Sequence, residues 1–396
     1  MLKRIAAIFL ALALLVPGLA WADSGIVIPE MPIGEFEIPD NEAMAFLRRM
    51  GTGWNLGNTL EAYIDGQRRG VNDETSWGNP RTTPELFQAI ADAGFGFVRI
   101  PVSWHTHVDA DLNVDEAWMD RVQEVVDWAL DAGLIVIINI HHDNAPAWYF
   151  PDSEHLDASL TYVTRIWAQI AERFADYDER LVFEGLNEPR LVGSPYEWSF
   201  NTAMLEIKDA ADCLNRLNQA FVDTVRAAGG RNADRYLAVP GYAASPDGID
   251  SDLFVLPTDS ADNRIIVAAH AYSPYDFALN ARGTDAFDPK RPADRSGVML
   301  PIKKLYDRWI SKGIPAYMGE WGTVDKGNPQ ARVDHAALFV SAATQWNIPV
   351  CWWDNGALHS NGENFRIINR RTLEWEFPEL VETIMRYSLK ETVPAQ

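Results

Sequence analysis

Two carboxyls draw attention because each closes an apolar, strand-like run. Leu181-Val182-Phe183-Glu184-Gly185-Leu186-Asn187-Glu188-Pro189 stops at an amide, a carboxyl and a proline, and proline ends strand pairing. Ile314-Pro315-Ala316-Tyr317-Met318-Gly319-Glu320-Trp321-Gly322 ends in a second carboxyl flanked by glycines, where a missing Cβ lets backbone and ligand come close. Glu188 and Glu320 are 132 residues apart in the chain. One carboxyl to protonate a departing oxygen and one to act at the anomeric carbon is the minimum for hydrolysing a glycosidic bond. A lone strand-end glutamate is more often a loop charge or an ion-pair partner, so the weight lies on the pairing.

Something must carry both groups to one place. Helical spacing is expected over residues 42–50, 84–93, 115–132, 158–175, 203–228, 300–311, 328–345 and 377–387. Between these helices lie strand-like runs at residues 51–58, 97–101, 134–140, 181–188, 235–239, 264–270, 314–322 and 349–353. Eight strands, each with a following helix, and uninterrupted β-branched runs suited to burial on both faces predict an α/β protein, a parallel (β/α)8 TIM barrel. Gly94, Gly133, Gly229 and Gly313 stand where helix C-caps should be. No linker or second module interrupts this pattern, so residues 41–390 are expected to form a single catalytic domain. Residues 23–40, acidic and proline-spotted, should lie extended over the barrel bottom or stay loose.

The chain has 396 residues and a formal net charge of −22. Lys3 and Arg4 before the apolar run of residues 5–16, then Ala20-Trp21-Ala22, read as a secretory signal peptide over residues 1–22. Without it, 32 basic residues face 56 acidic ones, a charge of −24. So acidic a surface repels nucleic acid and anionic membranes. The expectation is a secreted or periplasmic monomer, free of the membrane once the leader is cut, acting on something uncharged. Cys213 and Cys351 read as two buried thiols, with a disulfide left open. Neither has metal-ligand company, and no metal or cofactor is expected.

Active sites of such barrels gather at the C-terminal ends of the strands. Along that rim the sequence offers Asn58, Arg99, His141, His142, Asn187, Glu188, Tyr242, His270, Tyr272, Glu320, Trp353 and Asn355. The motifs Gly53-Trp54-Asn55-Leu56-Gly57-Asn58-Thr59, Arg99-Ile100-Pro101-Val102-Ser103-Trp104, Asn139-Ile140-His141-His142, Asn187-Glu188-Pro189, His270-Ala271-Tyr272-Ser273-Pro274, Gly319-Glu320-Trp321-Gly322 and Trp352-Trp353-Asp354-Asn355-Gly356 resemble glycoside hydrolase family five, in particular its bacterial subfamily-four endoglucanases and xyloglucanases. The resemblance spans about residues 51–364. It implies a retaining mechanism with Glu188 as acid/base and Glu320 as nucleophile. It further implies that Asn187 bonds the sugar 2-hydroxyl, His141 contacts the same sugar, Tyr272 touches Glu320 and His270 orients the carboxyls. Arg99 is placed to keep Glu320 charged, and that charge would hold the proton on Glu188. The carboxyls of a retaining pair should stand about 5 to 5.5 Å apart.

The chain contains 15 tryptophans. Trp54, Trp77, Trp104, Trp148, Trp198, Trp321 and Trp353 fall in or beside rim loops and could underlie sugar rings, whereas Trp128, Trp167, Trp309 and Trp346 sit in helical patterns. The expected function is a retaining endo-β-1,4-glucanase (cellulase) acting on soluble or amorphous β-glucan. A xyloglucan- or mannan-specific endo-hydrolase of the same family is the alternative. Two readings from other classes are weighed beside these. Metal-dependent hydrolysis would use His105, His107 or His141-His142-Asp143, and a non-catalytic carbohydrate-binding barrel would keep the cleft without turnover.

Overall fold

The computed structural model describes residues 25–360 and 362–389; the leader expected at residues 1–22 lies outside them. Strands β1 (Thr52–Leu56), β2 (Phe97–Ile100), β3 (Ile135–Asn139), β4 (Leu181–Glu184), β5 (Leu237–Pro240), β6 (Ile265–His270), β7 (Ala316–Trp321) and β8 (Val350–Asp354) close into one barrel in chain order. Every adjacent pair is parallel, and β8 returns to β1 with Trp353 opposite Asn55. The helices are α1 (Glu42–Met50), α2 (Pro84–Asp92), α3 (Glu116–Asp131), α4 (Leu156–Arg173), α5 (Leu205–Ala227), α6 (Pro246–Asp250), α7 (Tyr275–Ala278), α8 (Pro292–Arg308), α9 (Pro329–Gln345) and α10 (Pro378–Tyr387). No helix among the described residues is long and apolar enough to cross a membrane.

Every strand is buried along its whole length, as β-branched runs sandwiched between a packed interior and a ring of helices require. Gly53 leaves the space that the Phe97 ring fills, since a Cβ there would lie 2.5 Å from it. The four predicted C-cap glycines all take positive φ: Gly94 at 99°, Gly133 at 86°, Gly229 at 69° and Gly313 at 77°. Helix α1 packs beneath the strand starts. Its N-cap Asn41 accepts from Met44 N at 2.8 Å, and Phe46 stacks on Tyr236 at 3.9 Å.

Helix α8 differs most from expectation, beginning at Pro292 instead of Leu300 and running through Pro301. A proline inside a helix strips the carbonyl four residues back of its donor. That carbonyl, Gly297 O, is taken by Ser273 Oγ at 2.6 Å, so the helix continues and is tied to the loop after β6. Residues 25–37 run extended along α8, α9 and α10 rather than loose. Val27 and Gln330 exchange two hydrogen bonds, Tyr387 Oη donates to Pro29 O and accepts from Met31 N, and Phe36 sets its edge on Tyr306 and Trp346. Cys213 and Cys351 are free, buried thiols, which answers the disulfide question.

Candidate active site

Arg99 points into the barrel from β2 and is fully buried. A guanidinium there must spend its donors, and it does. Nη1 donates to Glu320 Oε1 at 2.8 Å and to Asn55 Oδ1 at 3.1 Å, Nη2 to Asn187 Oδ1 at 2.6 Å, and Nε to Glu184 Oε2 at 2.7 Å. Burial pulls its pKa down, but the charge and hydrogen bond of Glu184 and the charge of Glu320 more than restore it, so it stays a cation.

Glu320 ends β7, where the register with β6 shifts between Ala269 and His270 and leaves His270 opposite Glu320. Such irregularities re-aim side chains at barrel rims. Tyr272 donates to Glu320 Oε2 at 2.8 Å, so both oxygens have a donor. His270 Nδ1 lies 2.8 Å from Glu188 Oε1 and 3.7 Å from Glu320 Oε2. Glu188, His270 and Glu320 each bring one oxygen or nitrogen within 4.8 Å of the others.

Three groups so close share their protons. Burial pushes Glu320 up, with Glu188 adding to it, against the opposing pull of His270, Arg99 and Tyr272. Burial also pushes Glu188 up, but the hydrogen bond and charge of His270, then Arg190, outweigh it and the net direction is down. For His270 burial lowers the pKa and the two carboxylates raise it further, Glu320 first. The downward push on Glu188 and the upward push on His270 favour the charged pair across their 2.8 Å contact, whereas the sequence expectation put the proton on Glu188.

His141, after β3, is buried with its ring parallel to Trp353 at 5.9 Å, and His142 stands edge-on to His141 at 4.4 Å. Burial and surrounding positive charge hold both imidazoles neutral: His141 falls well below 6.5 and His142 to about 4. Trp77, 40 % exposed, continues this side at 5.5 Å from His142, its indole N–H bound to Tyr63 O. On the far side of Glu188, Arg190 donates to Glu188 O at 2.9 Å and lies 4.0 Å from the ring of Trp198, which is 64 % exposed.

Not every rim residue faces this center. Tyr242 spends its hydroxyl on Tyr196 O at 2.8 Å and Leu191 N at 3.1 Å, with its ring against Phe200, so it props the loop between β4 and α5. Asn355 is consumed by Glu363 O, Ala357 N and Phe365 N. Asn58 has φ 56°, and its carbonyl accepts from Asn79, which also reaches Asn355 O; no side-chain contact of Asn58 enters the site. Trp54, Trp104 and Trp321 are core, buried completely. His105 pairs with Asp143 and His107 stacks on Trp118, so these two of the metal reading do not converge, whereas His141 and His142 each bring a ring nitrogen within 4.8 Å of each other and of a Glu61 oxygen.

The sequence reading missed Glu184, Asn139, Asn55 and Tyr317, all fully buried below the reaction centre. The charge of Glu184 directly after the apolar run of residues 181–183, and before Gly185-Leu186, was the available signal, since buried carboxylates need partners. It also missed Glu61, a fully buried carboxyl that accepts backbone N–H groups from Asn58 and, at 2.7 Å, Thr59. Burial pushes Glu61 up to about 7 despite those bonds and Arg370.

A family model described as Cellulase (glycosyl hydrolase family 5) matches residues 62–359. Endoglucanase 1 of Ruminococcus albus is 43 % identical over 357 residues, 89 % of this chain and 83 % of that protein. Among solved structures, a GH5 family lichenase from Caldicellulosiruptor sp. F32 superposes with a TM-score of 0.90 at 45 % identity, covering 91 % of this chain and 99 % of that one. A GH5-4 broad specificity endoglucanase from Ruminococcus champanellensis, solved with bound cellotriose, gives 0.82 at 42 % identity over 88 % and 100 %.

Proposed function

This chain belongs to glycosyl hydrolase family 5, and on that premise we propose that it cleaves internal β-1,4-glucosidic bonds by double displacement, with Glu320 as nucleophile and Glu188 as acid/base. It is an endoglucanase; the residue roles and preferred glucan are our reading. The observation that carries the roles is the closeness of Glu188, His270 and Glu320, within 4.8 Å, with Glu320 held by Arg99 and Tyr272. Two donors on its oxygens favour the ionised nucleophile, while Glu188 has a proton within reach on His270.

Glu320 attacks the anomeric carbon as the bond to the leaving oxygen breaks, and Glu188 supplies that oxygen with its proton. A sugar closing over the pair excludes water from Glu188, which favours its neutral form and draws the proton across from His270. Water then attacks the glycosyl ester, giving its proton back to Glu188 and freeing Glu320 with the anomeric configuration retained. Asn187, fixed by Arg99, is placed for the sugar 2-hydroxyl, and Trp353 and His141 form the wall beside the glycone. We assign Trp77 and Trp148 to the glycone side and Trp198 to the leaving-group side, because Trp198 stands beside the acid. Platforms on both sides of the cleavage point support attack within a chain on soluble or amorphous β-glucan.

Glu320→Gln should lose all substrates and form no covalent adduct with a 2-fluoro-cellobioside, as read by intact mass. Glu188→Gln should lose roughly 10²- to 10⁴-fold on β-glucan yet keep the first step on an aryl cellobioside whose leaving group needs no proton. Equal loss on both substrates in both variants would overturn the roles. Parallel assays on carboxymethylcellulose, barley β-glucan, xyloglucan and glucomannan decide the preferred polysaccharide.

A further inference from the structure

We propose that Glu184 is a positioning residue: a buried counter-charge under the reaction centre that aims Arg99 at Glu320 and, through Asn139, fixes which nitrogen of His141 carries the proton. Glu184 is fully buried at the end of β4. Its Oε2 accepts from Arg99 Nε at 2.7 Å and Asn139 Nδ2 at 2.9 Å, and its Oε1 from Tyr317 Oη at 2.7 Å. Donors from β2, β3 and β7 thus converge on one carboxylate that touches neither the cleft nor a sugar.

The first consequence is orientation. A guanidinium is a rigid fork, so anchoring Nε to Glu184 leaves Nη1 facing Glu320 and Nη2 facing Asn187. The second is a tautomer. Asn139 Oδ1 accepts from Val102 N at 3.2 Å, a partner that can only donate, so Nδ2 must be the atom facing both Glu184 and His141. Asn139 Nδ2 lies 3.1 Å from His141 Nδ1, which is therefore an acceptor. A neutral imidazole with a bare Nδ1 carries its proton on Nε2, leaving an N–H for a sugar hydroxyl. The third is charge. Arg99 serves two carboxylates, and Glu184 keeps it from stabilising Glu320 so strongly that the nucleophile is dulled.

The proposal rests on Glu320 as nucleophile. The charged and titratable groups around Glu320 are Arg99 from β2, Glu188 from the exit of β4, His270 and Tyr272 from β6 and its exit, Cys351 of β8 and Glu363 of the loop after β8, with Glu184 and Tyr317 standing behind Arg99. In Glu184→Gln the negative charge is gone and the shape is kept. The acid limb of kcat/KM should move down by roughly one pH unit and kcat should fall roughly tenfold, with KM changing less. Glu184→Asp restores the charge and should return the limb toward wild type. Tyr317→Phe removes a hydrogen bond but no charge and should leave the limb in place. An unmoved limb in folded Glu184→Gln, or an equal shift in Tyr317→Phe, overturns the proposal. In the wild type, ring ¹⁵N shifts of His141 should show protonated Nε2 and bare Nδ1; the other tautomer or an imidazolium overturns it without any variant. Failure to trap the 2-fluoro adduct on Glu320 would instead remove the underlying reading.

Discussion

At the scale of single residues, the push of burial and Glu188 on Glu320, opposed by His270, Arg99 and Tyr272, sets the expected pH behaviour. With Glu320 as the proposed nucleophile, which must be ionised, the acid limb of kcat/KM should lie above the ordinary value of 4.5, and activity should fall as pH drops through it. A limb at or below 4.5 in a kcat/KM titration would contradict the site electrostatics. Glu61 acts on stability instead. Its folded pKa of about 7 exceeds 4.5, so its favourable contribution is full below 4.5 and is lost as pH rises through 7, about 3 kcal/mol in all. Arg370, His141 and His142 are the charged or titratable groups around it. Thermal melts should therefore show the wild type losing ground to Glu61→Gln between pH 5 and pH 7. Glu188, Glu320, Arg99 and Tyr272 were legible because groups able to do chemistry stood at strand ends. Glu184, Asn139 and Tyr317 were not, because nothing in a strand's own sequence says which partners a closed barrel will point inward beside it.

Among the elements, the exits of β1 and β8 act as one unit. Arg370 donates to Gly57 O at 2.9 Å and to Asp354, and Asn79 bridges Asn58 O and Asn355 O. A Cβ on Gly57 would lie 2.7 Å from Asp354 O and 3.0 Å from the Trp353 ring. Gly57→Ala should shift that platform at a cost of about 1–3 kcal/mol, which raises KM roughly tenfold with a smaller change in kcat. An unchanged KM on cello-oligosaccharides would show that Trp353 is not seated by this contact. Seven of the eight predicted strands fell within a residue or two of their observed bounds because continuous apolar runs bounded by glycine leave little choice; β4 stops at Glu184, four residues short of the expected 188. The start of α8 escaped for a local reason: Pro301 argues for a break that only Ser273, distant in sequence, prevents.

For the whole molecule, the extended N-terminal segment is a strap across three helices. Deleting residues 25–36 removes the Val27–Gln330 pair, the Tyr387 bonds and the Phe36 contacts. The loss of about 2 kcal/mol should lower Tm by roughly 4 °C and leave kcat unchanged; a changed kcat would mean that the strap reaches the active site. Barrel class and strand order were settled by local information, since hydrophobic period and glycine caps are written in short stretches, and side chains able to do chemistry at strand ends marked Glu188 and Glu320 as the candidate pair. The strands' mutual rotation on closure was not so settled. Closure left Trp54, Trp104 and Trp321 in the core while Trp77 and Trp198, on loops, reach solvent, and it set His270 between Glu188 and Glu320. Burial and proton position depend on what stands across the barrel, and those distances exist only once the last strand has closed on the first.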